Sequence, residues 1–223
     1  MKPGSEQFRS ILILTLINVG IIVILSFLSP TFLTYENLLS VLKRMSELGM
    51  LAIAETIVFI SGGFDLSIGT IMAISGLIAG QMYIFGLPFF LCVLLALLGG
   101  MAAGLMNALF IVKLRLQPFI VTLATMSILR SIVYGVLRGK TLSHFPESYL
   151  AYGDLTILGF PFLFLVLIVF AVLSSLLLQR TYIGRQIYAV GGNERSAYLS
   201  GISVNRIKYT VYILSGFICA CAG

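Results

Sequence analysis

Charge is scarce in this chain. Of its 223 residues only 10% are Asp, Glu, Lys or Arg, where a soluble domain carries about a quarter. Tryptophan is absent, histidine occurs once and cysteine three times. The lone His144 rules out a histidine pair for metal binding and reads as a solvated loop residue. Cys92, Cys219 and Cys221 all fall in apolar runs. Their odd number and lack of metal spacing argue against a disulfide framework or a zinc site and leave them as small apolar packing residues. No acid/base or metal cluster stands out, so a membrane enzyme ranks far behind other readings. No basic tract has the form of a nucleic-acid patch. Short-period repeats, low-complexity tracts and soluble linkers are missing too.

What the chain has is apolar length. It is 59% hydrophobic, with a mean hydropathy of +1.09. A chain this size has too little interior to hide that much apolar surface from water. In lipid, backbone groups must be satisfied within the chain, which leaves helices or a closed barrel. Barrel strands alternate over about ten residues. The runs here are longer and unbroken, so the sequence predicts an all-α fold, a polytopic transmembrane helical bundle.

A span needs about 20 apolar residues. Six segments come close: 11–29, 47–60, 66–87, 88–112, 118–137 and 160–178. The second is short unless its helix begins near Asn37. The first resembles a signal peptide, but it is long and is followed by Ser29-Pro30-Thr31 rather than a small-residue cleavage site, so it reads as an uncleaved span. A seventh run, 209–223, would extend about 22 Å against a hydrocarbon core of about 30 Å. Its end, Cys219-Ala-Cys-Ala-Gly223, lacks a polar stop.

Charge between the runs suggests orientation. Lys2 and Arg9 precede the first span and Lys113 and Arg115 follow the fourth. Arg180, Arg185, Arg195, Arg206 and Lys208 follow the sixth, against Glu194 alone. With the N-terminus cytoplasmic, these three basic segments fall inside. The balanced segment with Arg138, Lys140, Glu147 and Asp154 falls outside. Lys43 and Arg44 land outside as well, offset by Glu36 and Glu47, and Lys43 and Glu47 have the i,i+4 spacing of a helical pair.

Few residues offer chemistry. Gly135-Val-Leu-Arg-Gly139-Lys140-Thr141 has one residue too few for a phosphate-binding loop and no preceding strand. Glu55 and Arg130 are the ionisable residues deepest in the predicted spans. Such residues usually face the bundle interior, and their overlapping depths would let them pair, in a structural role or on a pathway. Gly76-Leu-Ile-Ala-Gly80 and Gly100-Met-Ala-Ala-Gly104 suit close helix packing. Thr122, Thr125 and Ser127 place three hydroxyls on one span.

Two stretches are unusual. In Ile60-Ser-Gly-Gly-Phe-Asp-Leu-Ser-Ile-Gly69, two glycines end a helix and Asp65 or Ser67 can cap the next. A cap is the favoured role of Asp65, and a hinge or pathway role the alternative. The segment 179–207 is a long polar loop. Within it Asn193 is a good N-cap, Glu194 suits a first turn and Gly201 a C′ stop. Ala197, Tyr198 and Leu199 between them form an apolar surface that a protein partner would cover, unless the loop lies on the bilayer.

These two stretches, with Gln117-Pro-Phe-Ile-Val-Thr-Leu-Ala-Thr-Met-Ser-Ile-Leu-Arg130 and Tyr188-Ala-Val-Gly-Gly-Asn-Glu-Arg-Ser-Ala-Tyr-Leu-Ser-Gly-Ile202, resemble the ribose/xylose/arabinose-type permeases of bacterial ABC importers. The match runs in order from about Pro30 to Gly223. The resemblance implies a multi-pass permease subunit of the bacterial inner membrane, forming one membrane domain over 1–223. A monosaccharide such as ribose is the implied cargo. Alternatives on the same fold are a branched-chain amino acid, a nucleoside or an autoinducer-2-like furanose, and a channel or secondary transporter is a more distant one. Implied partners are a cytoplasmic ATPase that holds ATP and Mg²⁺, an extracytoplasmic sugar-binding protein, and a second permease chain in a homo- or heterodimer. This chain itself binds no cofactor. Gly191, Gly192, Asn193, Glu194, Ala197, Leu199 and Gly201 match the family's coupling segment. The family continues for several more spans, so the chain reads as a truncated product, and it carries Glu55 where the family usually has an amide or an apolar residue.

Overall fold

The computed structural model describes residues 5–140, 145–153 and 155–223. His144, Lys2, Thr141 and Asp154 lie outside them. By its internal contacts the chain falls into two compact units, 1–44 and 45–223.

In the first unit, helix α1 (Ser5–Leu28) is dominated by apolar residues from Ile11 onward. Three of its polar side chains are satisfied locally: Thr15 donates to Ile11 O at 2.8 Å, Asn18 to Leu14 O at 2.8 Å and Ser26 to Ile22 O at 2.7 Å. That is what a polar group in an apolar helix requires. Helix α2 (Tyr35–Ile60) begins here. Its first turn is tied by Asn37, whose backbone N–H donates to Thr34 Oγ1 at 3.4 Å and whose Nδ2 donates to Phe32 O at 2.7 Å. The start near Asn37 foreseen from the sequence is thus two residues earlier.

The second unit holds the rest of α2, followed by α3 (Ile68–Ile84), α4 (Phe89–Lys113), α5 (Pro118–Leu137), α6 (Glu147–Gly153), α7 (Phe162–Arg180), α8 (Tyr182–Gly192), α9 (Glu194–Leu199) and α10 (Val204–Ala222). A two-residue antiparallel ladder, β1 (Thr156–Ile157) with β2 (Phe160–Pro161), precedes α7. Leu158 and Gly159 between them both have positive φ, 55° and 81°, as a tight hairpin turn demands.

Among the described residues four helices are long and apolar enough to cross a membrane: 8–28 within α1, α4, α5 and α7. Six were expected. The difference lies in α3, which is apolar but only 17 residues long, and in α2, whose 26 residues include Glu36, Lys43, Arg44, Glu47 and Glu55.

The core of this unit forms where α10 packs against α3 and α4. Tyr212, Met50, Ile57, Ile71 and Ile218 are fully buried. Small residues set the approach. A Cβ on Gly104 would meet the Tyr212 carbonyl, and one on Gly100 would lie 2.6 Å from Gly216 O. The sequence's small-residue spacing is therefore used for close packing at 100 and 104, and Gly76 likewise abuts Gly223. At the far end of α3 and α4, Tyr83, Phe89, Phe145, Tyr149 and Tyr152 form a cluster in which the Phe89 and Tyr152 rings stack at 3.9 Å. Burial there, with Cys92 and Tyr83 close by, raises the Tyr149 hydroxyl above its ordinary range.

Two substitutions separate packing from helix propensity. Gly104→Ala drives a methyl into backbone and should destabilise the detergent-purified protein by about 1–3 kcal/mol. Gly135→Ala, in α5 with open space around it, should be neutral or stabilising by up to about 1 kcal/mol. Thermal unfolding of the two variants side by side checks this.

Candidate functional site

The break between α2 and α3 is the first of two candidate sites. Gly62, at φ 79°, ends α2 in the left-handed region that glycine tolerates. The chain then turns through Gly63 and Phe64 to Asp65, which is 2% exposed. Asp65 Oδ1 accepts from the Ser67 backbone N–H at 2.8 Å and from Ser67 Oγ at 2.5 Å. Ser67 Oγ accepts from Asn107 Nδ2 of α4 at 2.9 Å. Asn107 Oδ1 accepts from Thr125 Oγ1 of α5 at 2.7 Å. The result is a buried chain of hydrogen bonds, Thr125 to Asn107 to Ser67 to Asp65, that ties three helices together. Every donor in it points toward the carboxyl, so each bond polarises the next.

Glu55 belongs to the same site. Its Oε1 accepts from the Asp65 backbone N–H at 3.3 Å. Tyr212 Oη of α10 donates to Phe64 O at 3.3 Å. Thr122 Oγ1 donates mainly to Pro118 O at 2.9 Å and is 3.5 Å from Phe64 O. Two carboxyl oxygens, Glu55 Oε2 and Asp65 Oδ2, are buried and meet no donor.

The expected Glu55–Arg130 pair does not form: among the described residues no ion pair joins them. Arg130 is on an exposed face of α5 and lines a cavity of about 350 Å³ with Leu66, Thr70 and Tyr134. Equal depth along two helices does not fix which way each residue points. Ser127 also parts from Thr122 and Thr125. Those two, three residues apart, share the inward face, whereas Ser127 is exposed and donates to Leu123 O at 3.0 Å. Asp65 is not the cap the sequence favoured: α3 is capped at Ser67, without a side-chain capping bond, and Asp65, two residues earlier, holds Ser67 itself and reaches α5 through two side chains. Asn107 and Tyr212 were missed. Asn107 is a lone amide in an otherwise apolar stretch, the signal that could have revealed it.

The second candidate site lies in 179–207, which forms two helices where the sequence suggested one. The amphipathic α8 is fixed at its start by Thr181, whose Oγ1 accepts from Gly184 N at 3.0 Å and donates to Leu177 O at 2.6 Å. At its other end Gly191 abuts the Ile60 carbonyl, and a Cβ on Gly62 would lie 3.4 Å from Gly191 Cα. Gly192 has open space around it. Asn193 Oδ1 accepts from Ser196 N at 2.9 Å and caps α9. At the far end Gly201 N donates to Tyr198 O at 3.0 Å and Ile202 N to Ala197 O at 3.0 Å. With Gly201 at φ 82°, this is the Schellman arrangement. Glu194 pairs with Lys208 of α10 at 2.5 Å. Ala197 is buried in the core, 4% exposed, so it anchors α9 instead of sharing the outer surface. Tyr198 and Leu199 project, 72% and 77% exposed.

Four helices among the described residues that are long and apolar enough to span lipid, with a buried helix break, are the build of a polytopic membrane protein. Residues 37–223 match the family of permease components of branched-chain amino acid transport systems, and the chain belongs to that family. It is 38% identical over 208 residues to the ribose import permease protein RbsC of Haemophilus influenzae, covering 91% of this chain and 64% of that protein. It is 35% identical to RbsC of Bacillus subtilis over 205 residues, with the same two coverages. With the autoinducer 2 import system permease protein LsrD of an Enterobacter species it shares 34% identity over 204 residues, covering 87% of this chain and 62% of that protein. The chain thus spans less than two thirds of the length of these relatives. No solved structure matches it.

Asn107→Leu should be the most damaging single change in the polar chain. It strands the Thr125 hydroxyl, while Ser67 Oγ loses a donor but keeps its bond to Asp65, and should cost about 1–3 kcal/mol for the group left unsatisfied. Pairing it with Thr125→Val should recover part of the loss, which denaturation of the single and double variants would measure.

Proposed function

We propose that this chain is the membrane-spanning permease subunit of an ATP-driven, binding-protein-dependent importer of a monosaccharide such as ribose. The observation that carries this reading is the identity with a ribose import permease across 91% of the chain. The relative named for autoinducer 2 keeps a furanose-like cargo as the alternative. In this reading ATP and Mg²⁺ reside on a cytoplasmic ATPase, cargo arrives on an extracytoplasmic binding protein, and the pore lies between two permease chains. The chain contributes no catalytic group and transports by alternating access.

The N-terminus is cytoplasmic in this proposal, as are the α4–α5 connection and α8–α9. Support comes from Lys113, Arg115 and Lys208, drawn from two basic segments distant in sequence, which line one cavity. Helix α9 is the ATPase contact. Its caps and the Glu194–Lys208 pair hold it rigid, and Tyr198 and Leu199 supply the apolar anchors that interface hot spots use. Movement of α9 reaches the break through α8, because Gly191 meets Ile60 backbone to backbone. At the break, Glu55 Oε2 and Asp65 Oδ2 are acceptors without donors, the complement of a polyol's hydroxyls. Cargo must bind the two states differently for this to pump.

Docking is the deciding measurement. The double variant Tyr198→Ala, Leu199→Ala should lower capture of the cognate ATPase about tenfold or more while inserting normally, given ~2 kcal/mol or more per hot-spot side chain. Undiminished capture would remove α9 from the interface. Orientation is checked separately with single cysteines replacing Ser148 and Ser203 in a cysteine-free chain. An impermeant reagent applied to intact cells should label the first and spare the second. Equal labelling would overturn the arrangement.

A further inference from the structure

A cavity of about 470 Å³ opens where the α4–α5 connection faces the starts of α9 and α10. Lys113, Arg115 and Lys208 line it, with Glu194 and Asn205. Three cations therefore face one carboxylate. Glu194 is committed to Lys208, and among the described residues no carboxylate pairs with Lys113 or Arg115. The first turns of α5 and α10 border the same space through Pro118 and Asn205. Neither N-cap, Gln117 or Ser203, makes a side-chain capping bond, so two positive helix ends add to the field of the side chains. Since α4 and α5 are both long enough to span a bilayer, their shared end lies at a membrane surface whichever way the chain is oriented. Basic pockets between helices at that level suit anionic headgroups.

We propose that this cavity is an anion site that takes a phosphate group, from a phospholipid headgroup or from free phosphate, and that the phosphate competes with Glu194 for Lys208. Lys113 and Arg115 supply the charge that is uncompensated without ligand. Lys208 is the shared cation, mostly withdrawn from solvent and already gripping a carboxylate. A phosphate that draws Lys208 away unfastens one of the ties on α9. That consequence rests on α9 being the ATPase contact; the binding itself does not.

Arg115 offers a clean test because it sits at φ 54°, past the end of α4, where glycine is the unstrained residue. Arg115→Gly therefore removes the charge while easing the backbone. Purified, delipidated protein would be titrated with phosphatidylglycerol, with phosphatidylcholine and with inorganic phosphate, and bound ligand counted by native mass spectrometry. Arg115→Gly and Lys113→Gln should each weaken anion binding about five-fold, from the ~1 kcal/mol that one basic residue contributes to headgroup attraction. Glu194→Gln should tighten it by a similar factor. Arg180→Gln, on the exposed end of α7 away from the cavity, should change little. Preference for phosphatidylglycerol over phosphatidylcholine supports the site with a headgroup as its source. Binding of inorganic phosphate alone supports it with a soluble source. Failure of both anions to bind, equal losses in Arg180→Gln and Arg115→Gly, or no tightening in Glu194→Gln would overturn it. None of these readouts involves transport or the ATPase, so they leave the permease reading untouched.

Discussion

A helix interrupted inside an apolar bundle exposes backbone groups that lipid cannot satisfy, and the break between α2 and α3 is built around that constraint. Gly62 N and Gly63 N turn back to Phe59 O and Val58 O, at 3.0 Å each. Tyr212 meets Phe64 O, Glu55 meets Asp65 N, and Asp65 meets Ser67 N. The side chains needed come from α2, from the break itself and from α10. Several of the unit's conspicuous polar residues are thus explained by one requirement. Tyr212 is buried in the core because its ring fills space while its hydroxyl reaches the Phe64 carbonyl, whose other contact is the longer one to Thr122 Oγ1.

The break is supplied unevenly, however. Backbone demand accounts for one oxygen of Glu55 and one of Asp65, and their second oxygens find no donor. An interior acceptor without a donor is costly. A structure that only needed to close a turn could use the neutral amides Gln at 55 and Asn at 65. Keeping two carboxyls there suits a site that gains partners in another state or with cargo, which is the sense in which the permease reading uses them.

How legible these features were depended on how local they are. The Asn193 cap and the Gly201 stop each depend on residues within a few positions, and the sequence placed both. The start of α2 near Asn37 was visible for the same reason. Whatever depended on rotation about a helix axis was not. Depth put Glu55 beside Arg130, but the α5 face carrying Thr122 and Thr125 turns inward while Arg130 and Ser127 point away. Ala197 was grouped with Tyr198 and Leu199 by sequence adjacency, yet neighbours on a helix sit about 100° apart, and it faces the core. Helix α8 escaped notice because Gly184, Gly191 and Gly192 give it the composition of a loop. Two of those glycines are there for contact. A Cβ on Gly184 would meet the Leu177 carbonyl and one on Gly191 the Ile60 carbonyl.

Those two glycines also decide what α8 can do mechanically. At one end Thr181 and Gly184 fasten it to the last turn of α7; at the other Gly191 rests on the end of α2. Both contacts involve backbone, which has no rotamers with which to absorb a displacement. A close-packed interior relays a shift instead of dissipating it, and backbone on backbone is the stiffest form of that packing. Helix α9 follows α8 after Asn193 alone, and its own ends are fixed by a side-chain cap and by the Schellman turn. The path from Tyr198 and Leu199 to Ile60 therefore runs along α8 and its contact at Gly191. From there the next groups along the chain are Gly62, Phe64 and Asp65, and Asp65 is hydrogen-bonded through Ser67 and Asn107 to Thr125. The exposed pair on α9 and the buried carboxyl thus lie at the two ends of one path through Gly191, Ile60 and the break.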